Sequence, residues 1–174
     1  MSVVLDEMKT RRSIRKFKPD MVPADVLDQI IEAGTFAANG RGLQSPIIIA
    51  VTNKEMRDKI MEMNRMIGGW EEGFDPFYGA PVILIVLADA SCPTAVYDGS
   101  LTMGNLMLAA HDLGIGSCWI HRAKEVFDSE EGKELKKQWG VPDEYIGVGH
   151  CVLGYRDCEY PAAKPRKEGF VIRV

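Results

Sequence analysis

Apolar residues recur along the chain with two different periods. Between positions 2 and 12, Val3, Val4 and Met8 form a stripe among Asp6, Glu7 and Lys9, which predicts a short amphipathic helix. Pro19 and Pro23 punctuate the loop that follows. Val26, Leu27, Ile30, Ile31 and Ala33 then repeat at helical spacing, with Pro23 suited to the first turn and an end near Gly34. Helical spacing returns over 54–67 through Met56, Ile60, Met63 and Met66. A long helix is predicted over 94–113. Leu101, Met103, Leu106, Met107, Leu108, Ala109 and Ala110 make it apolar nearly all round, so it should lie centrally. The segment 125–139 reads as a polar surface helix. Short apolar runs at 46–52 (PIIIAVT) and 81–88 predict buried strands. The run 114–120 (GIGSCWI) predicts a tight turn into a third strand, and 145–155 a fourth. The tail, 156–174, ends in a short β-like FVIRV. The stretch 68–80 (GGWEEGFDPFYGA) has no period and is long enough for a lid, although a loop packed on the core fits equally well.

The order of elements is α-α-β-α-β-α-β-α-β, without repeats or linkers. A chain of 174 residues fits one domain, so 1–174 is expected to fold as a unit. It is 46% hydrophobic and 26% charged, with a net charge of −4, which argues against a dedicated binder of nucleic acid or anionic membranes. The longest apolar stretch, 80–88, falls far short of the ~20 residues that span a bilayer. Asp6 and Glu7 stand where a secretory signal would be apolar, so none is expected. Cys92, Cys118, Cys151 and Cys158 are widely spaced and show no metal-ligand pattern, which predicts free thiols and a cytoplasmic protein.

Candidate chemistry is sparse. Arg11, Arg12, Ser13 and Arg15 crowd together after the first helix, and Lys164, Arg166 and Lys167 crowd near the C-terminus. Two basic clusters with a hydroxyl suit a phosphate, because guanidinium gives forked, charge-assisted hydrogen bonds to its oxygens. A basic cap on the helix C-terminus explains the first cluster as well. His111, His121 and His150 have no metal-binding partners, and His111 reads as a core or interface residue. No G-x-S-x-G elbow, G-x-G-x-x-G turn or P-loop is present. A site without nucleophile or general acid is what a cofactor-driven reaction leaves to the protein.

Four segments, in order, carry a family resemblance. They are Thr10-Arg11-Arg12-Ser13-Ile14-Arg15; Ala33-Gly34 with Ala37-Ala38-Asn39-Gly40 and Gln44; the run 98–120; and Gly154-Tyr155 with Lys164-Pro165-Arg166-Lys167. Together they resemble the FMN-dependent nitroreductase family over nearly the whole chain. The resemblance implies an α+β, nitroreductase-like fold with a central mixed β-sheet flanked by helices. It also implies a homodimer with FMN at the subunit interface, and a C-terminal segment that reaches toward the other subunit. Arg11, Arg12, Ser13 and Arg15 would hold the phosphate, ribityl chain and pyrimidine edge of FMN, with Lys164 and Arg166 completing the phosphate site. Ala38, Asn39, Gly40 and Gln44 would approach the flavin from the partner chain. Trp119, Ile120, His121 and Arg122 would line the ring, with a backbone N–H near N5. Gln44-Ser45-Pro46 stands where many relatives have Gln-Pro-Trp, and Gly42 where many have Asn, which affects the substrate pocket more than the cofactor site.

The implied function is a ping-pong oxidoreductase. NAD(P)H would deliver hydride to the flavin, and an electron-poor nitroaromatic, quinone or enone would receive it. No catalytic side chain is expected beyond Arg15 as an electrostatic stabiliser, and no metal. A flavin-storage protein, or a flavin reductase fed by a protein electron donor, is the alternative. The expected partners are a second copy of the chain and a small-molecule acceptor.

Overall fold

The computed structural model describes residues 2–174. The chain runs through α1 (Val3–Thr10), α2 (Ala24–Thr35), β1 (Pro46–Val51), α3 (Lys54–Gly68), β2 (Val82–Asp89), α4 (Ala95–Asp112), β3 (Gly116–Ile120), α5 (Ala123–Asp128), α6 (Glu130–Gln138) and β4 (Tyr145–Gly154). The strands form one sheet in the order β1-β2-β4-β3.

The sheet is the middle of three layers. Ile83, Ile85 and Leu87 of β2 point to one face, where Ile60, Met63, Val126, Phe127 and Leu135 of α3, α5 and α6 cover them. Val82, Leu84, Val86 and Ala88 point to the other, under Leu27 and Ile30 of α2 and Met103, Leu106 and Ala110 of α4. Every residue from Val82 to Ala88 is fully buried, which is why this strand reads as one continuous apolar run. Each large side chain so placed contributes roughly 1.5–3 kcal/mol of burial. The register of β2 on β4 shifts between Val86 and Leu87, which leaves Val148 as a bulged residue. Val148 thereby joins the α4 side, against Gly99, where an added Cβ would sit 2.6 Å from a Val148 methyl.

Three expectations are corrected. The four strands pair antiparallel throughout, and the mixed character implied by the resemblance reduces to one parallel bridge, Ser13 with Ser117. The N-terminal segment leaves β3 after that contact and turns to β4, so no parallel strand develops. The single helix predicted over 125–139 is two helices. Ser129 adopts an extended conformation, accepts the Gly132 N–H and donates its hydroxyl to the Val126 carbonyl. Gly132 then passes so close to Val126 that a Cβ would lie 1.9 Å from its carbonyl oxygen, which makes glycine obligatory at the break. The terminal FVIRV forms no strand and is exposed.

His150, in the middle of β4, is fully buried between Phe77 and Phe127, at 5.2 and 6.2 Å from their ring centroids. Neither ring nitrogen reaches a hydrogen-bonding partner. Burial pushes the imidazole down to about 4, against a weaker opposing pull from the nearby carbonyls of Ile120 and His121. The unfolded chain therefore takes this proton more readily than the folded one. Stability contributed by the neutral ring is complete above pH 6.5 and is lost as the pH falls to about 4. The full loss is about 3 kcal/mol. Replacing the ring in His150→Leu should flatten the acid-side fall of the urea midpoint relative to wild type, and an unaltered slope would contradict this account.

Candidate functional site

The basic segment after α1 is held as a ribbon between two strands. The Ile14 N–H donates to the Ser117 carbonyl at 2.9 Å, beside the Ser13–Ser117 bridge to β3. Further on, the Lys18 N–H donates to Tyr155 at 2.8 Å, the Asp157 N–H donates to Lys16 at 3.0 Å, and Phe17 bridges Arg156. Ile14 and Phe17 are the buried pegs of this ribbon, and Arg15 stays exposed.

The arginines divide their work. Arg12 turns its Nη1 back onto the carbonyls of Lys9, Thr10 and Arg11 at 2.7–3.0 Å, the helix-cap role anticipated for this cluster. Its Nε is buried without a partner, and so is Nη1 of Arg11. A buried guanidinium nitrogen without an acceptor is costly unless an anion completes it. Burial pushes the Cys118 thiol up, while Arg15, Ser13 and Arg11 oppose that rise. The positive charge of the ribbon thus reaches β3. A cavity of about 190 Å³ opens here, lined by Arg11, Arg12, His111, Ser117, Arg156 and Tyr160 among others.

The loop 38–44 lies in a separate cavity of about 310 Å³, lined in part by Asn39, Gln44, Gly34, Ile48 and Thr102. Arg41 and Gln44 adopt positive φ angles of 56° and 52°, which few non-glycine residues do. Asp98 at the start of α4 holds this shape. Its carboxylate accepts the Gly40 N–H at 3.0 Å and the Ser45 and Thr94 hydroxyls at 2.9 Å each. The Asn39 side-chain oxygen accepts the Gln44 N–H at 2.9 Å and closes the turn. Burial alone would raise the Asp98 carboxyl, but these three donors hold it below its ordinary value.

The 119–122 turn is fixed from beneath. Asn64, fully buried on α3, donates its Nδ2 to the His121 carbonyl at 2.8 Å. The Trp119 indole is half-buried over Gly149, where a Cβ would come within 2.7 Å of Nε1. Ile120 is buried, and Arg122 takes a left-handed conformation at φ 75°. The Arg122 guanidinium stacks 4.5 Å above the Trp70 ring, which in turn lies 5.3 Å from Phe74. The long aromatic loop therefore behaves as two halves. Residues 75–80 are locked: Asp75 accepts the Phe77 and Gly79 N–H groups and pairs with buried Arg57, whose Nε donates to the Ala80 carbonyl. Residues 70–74 rest on Arg122 and on an Arg65 bond to the Trp70 carbonyl.

Of the residues singled out in the sequence, Arg11, Arg12 and Ser13 meet at the start of β3. Among the described residues, no hydrogen bond or ion pair joins them to Lys164 or Arg166. Both tail cations are exposed, and Arg166 donates to the Lys164 carbonyl. Residues 38–44 line a separate cavity through Asn39 and Gln44, whereas Trp119 and Ile120 end the same strand, β3, and His121 and Arg122 follow it. Sequence reading missed Asp98 as a loop anchor, Asn64 as the support of the turn, and Tyr160. The Thr94/Asp98 spacing of four on one helix was the available signal for the first. Nothing local marked Asn64 or Tyr160.

A model of the Nitroreductase family matches residues 8–155. A protein of Methanothermobacter thermautotrophicus with the provisional name NADH dehydrogenase/NAD(P)H nitroreductase is 32% identical, over 93% of this chain and 79% of its own. The FMN reductase [NAD(P)H] of Bacillus subtilis is 28% identical, over 95% of this chain and 70% of its own. A crystal structure of a nitroreductase with bound FMN from Bacteroides fragilis superposes with a TM-score of 0.89 at 30% identity, covering 100% of both chains.

Removing the loop anchor in Asp98→Ala strands three donors and should cost about 2 kcal/mol. Faster hydrogen exchange across residues 39–45 should accompany the loss. Because the carboxyl is held low, its contribution is present above the ordinary aspartate value of 3.8 and is lost as the pH falls below it. Wild-type exchange at 39–45 in the alanine variant would exclude Asp98 as the anchor.

Proposed function

The chain belongs to the nitroreductase family, and from that premise we propose a two-step exchange in which NAD(P)H gives up hydride and an electron-poor acceptor later takes it in the same cleft. The protein is an NAD(P)H-dependent oxidoreductase that uses FMN. The acceptor class we assign is flat and electron-poor: a nitroaromatic, a quinone or an enone. FMN, when bound, supplies the ring atom N5 that accepts and releases hydride. The chain supplies binding, orientation and electrostatics.

The observation that supports this reading most directly is the buried, unpartnered Nη1 of Arg11 beside Ser13 and the start of β3. These residues fit a phosphate, since a guanidinium lacking an acceptor and a neutral hydroxyl donor make a complementary set. We assign Arg11, Arg12 and Ser13 to that end of the cofactor, with Lys164 and Arg166 as its outer cations. Arg15 is the fixed positive charge for the pyrimidine edge. Backbone groups of Trp119, Ile120, His121 and Arg122, supported by Asn64, orient the ring.

Ala38, Asn39, Gly40 and Gln44 serve the site of the partner subunit in this reading, which makes the working form a homodimer. Exposed apolar side chains on α1 and α4 support that arrangement: Val3, Val4, Met8, Val96, Tyr97 and Leu101. Among the described residues, no helix is long and apolar enough to cross a membrane. We place the protein in the cytoplasm, where its four free cysteines would stay reduced.

Anaerobic addition of NADH or NADPH to the yellow holoprotein should bleach its visible flavin band, and a band that persists under both would refute the nicotinamide step. The Arg15→Ala holoprotein should show a two-electron midpoint potential lower by roughly 30 mV, equivalent to about 1.4 kcal/mol. An unchanged potential would remove Arg15 from its role.

A further inference from the structure

Tyr160 ties the tail to two other parts of the chain, the end of α1 and the helix α4. Its hydroxyl accepts the Arg12 backbone N–H at 3.0 Å and lies 3.2 Å from Nδ1 of His111 on α4. Its ring stacks on the His111 ring at 5.7 Å, and the Arg156 guanidinium sits 5.4 Å from its centroid. Nε2 of His111 continues the chain to Thr10 Oγ1 at 3.0 Å and Glu7 at 3.2 Å, both on α1. Thr10 has given its own hydrogen to the Asp6 carbonyl, so at Nε2 it can only accept. In the neutral ring, Nε2 therefore carries the hydrogen and Nδ1 accepts from Tyr160. The bonds then run one way, from the Arg12 N–H through Tyr160 and His111 to α1. Tyr160 remains 42% exposed, so its attachment comes from the hydroxyl more than from packing.

This junction bears on the gap between the two basic clusters. Lys164 and Arg166 follow Tyr160 by four and six residues, with Pro161 and Pro165 stiffening the path. Four extended residues reach at most about 14 Å, so Tyr160 confines Lys164 to the neighbourhood of Arg12. Without the Tyr160 hydroxyl, the nearest backbone tie is the Asp157 N–H to Lys16. The tether then lengthens from four residues to seven, and the effective concentration of the tail cations falls.

We propose that Tyr160 is a positioning residue that holds the cationic tail, Lys164 and Arg166, at the phosphate end of the flavin site; the proposal rests on the functional reading above. The test measures the affinity of the dimeric apoprotein for FMN and for riboflavin, which is the same ring system without the phosphate. Tyr160→Phe removes only the hydroxyl. It should weaken FMN roughly threefold to tenfold, in keeping with one lost hydrogen bond, and leave riboflavin unchanged. The same substitution in a Lys164→Ala, Arg166→Ala background should have no further effect on FMN, because the cations it positions are gone. Equal weakening of both ligands, unchanged FMN affinity, or full additivity with the tail substitutions would each overturn the positioning role. A wild type that binds riboflavin as tightly as FMN would remove the phosphate site itself, and this proposal with it.

Discussion

Residues 13–18 belong to no helix and no hairpin, so their backbone groups must find partners elsewhere. They find them on two strands at once. Ile14 donates to Ser117 at the opening of β3, and Lys18 and Lys16 exchange bonds with Tyr155 and Asp157 at the exit of β4. Ile14 and Phe17 drive into the core beneath. A segment this rich in arginine and lysine would otherwise be a mobile surface stretch. Here the sheet determines its position, and everything assigned to Arg11, Ser13 and Arg15 depends on that.

The electrostatic consequence follows from the same anchoring. Arg12 can satisfy part of its guanidinium with the free carbonyls at the end of α1. Arg11 has no such outlet at Nη1, and its charge is felt by the thiols of Cys118 on β3 and Cys151 on β4. Burying a cationic donor without an acceptor is unfavourable for the protein alone. The cost is intelligible where an anionic ligand is the missing half. The loop 39–45 shows the opposite solution: Asp98 sits buried with three donors aimed at it, so that anion is complete without a ligand and its task is to hold shape.

The layers of the fold were legible in the sequence because they rest on local periodicity. Met56, Ile60 and Met63 mark one face of α3, and the run at 82–88 announces a strand covered on both sides. Strand direction was not legible, since an apolar run carries no sign of whether its neighbour is parallel. The break at Ser129 was hidden because Ser-Glu-Glu-Gly reads as polar helix surface until Gly132 is seen against the Val126 carbonyl. At the site, the arginine cluster was visible as composition. Its meaning depended on contacts between positions far apart in the chain, such as Arg12 with Tyr160 and Asn64 with His121, which no local pattern encodes.

One chain leaves two things incomplete, and both point the same way. The cavity at Arg11 and Arg12 shares no lining residue with the cavity at Asn39 and Gln44, although the proposed function assigns both regions to one cofactor. Meanwhile α4, apolar nearly all round, is covered by its own chain along Met103, Leu106 and Ala110 but leaves Val96, Tyr97 and Leu101 exposed. An added Cβ at Gly104 would meet nothing within 4 Å, so that face of the helix is open to a close neighbour. A second copy packed there would remove apolar surface from water and could bring its own 38–44 loop toward the first copy's ribbon. In the proposed dimer, the burial that drives association and the geometry that assembles the cofactor site are therefore the same event, so the site would not outlast dissociation.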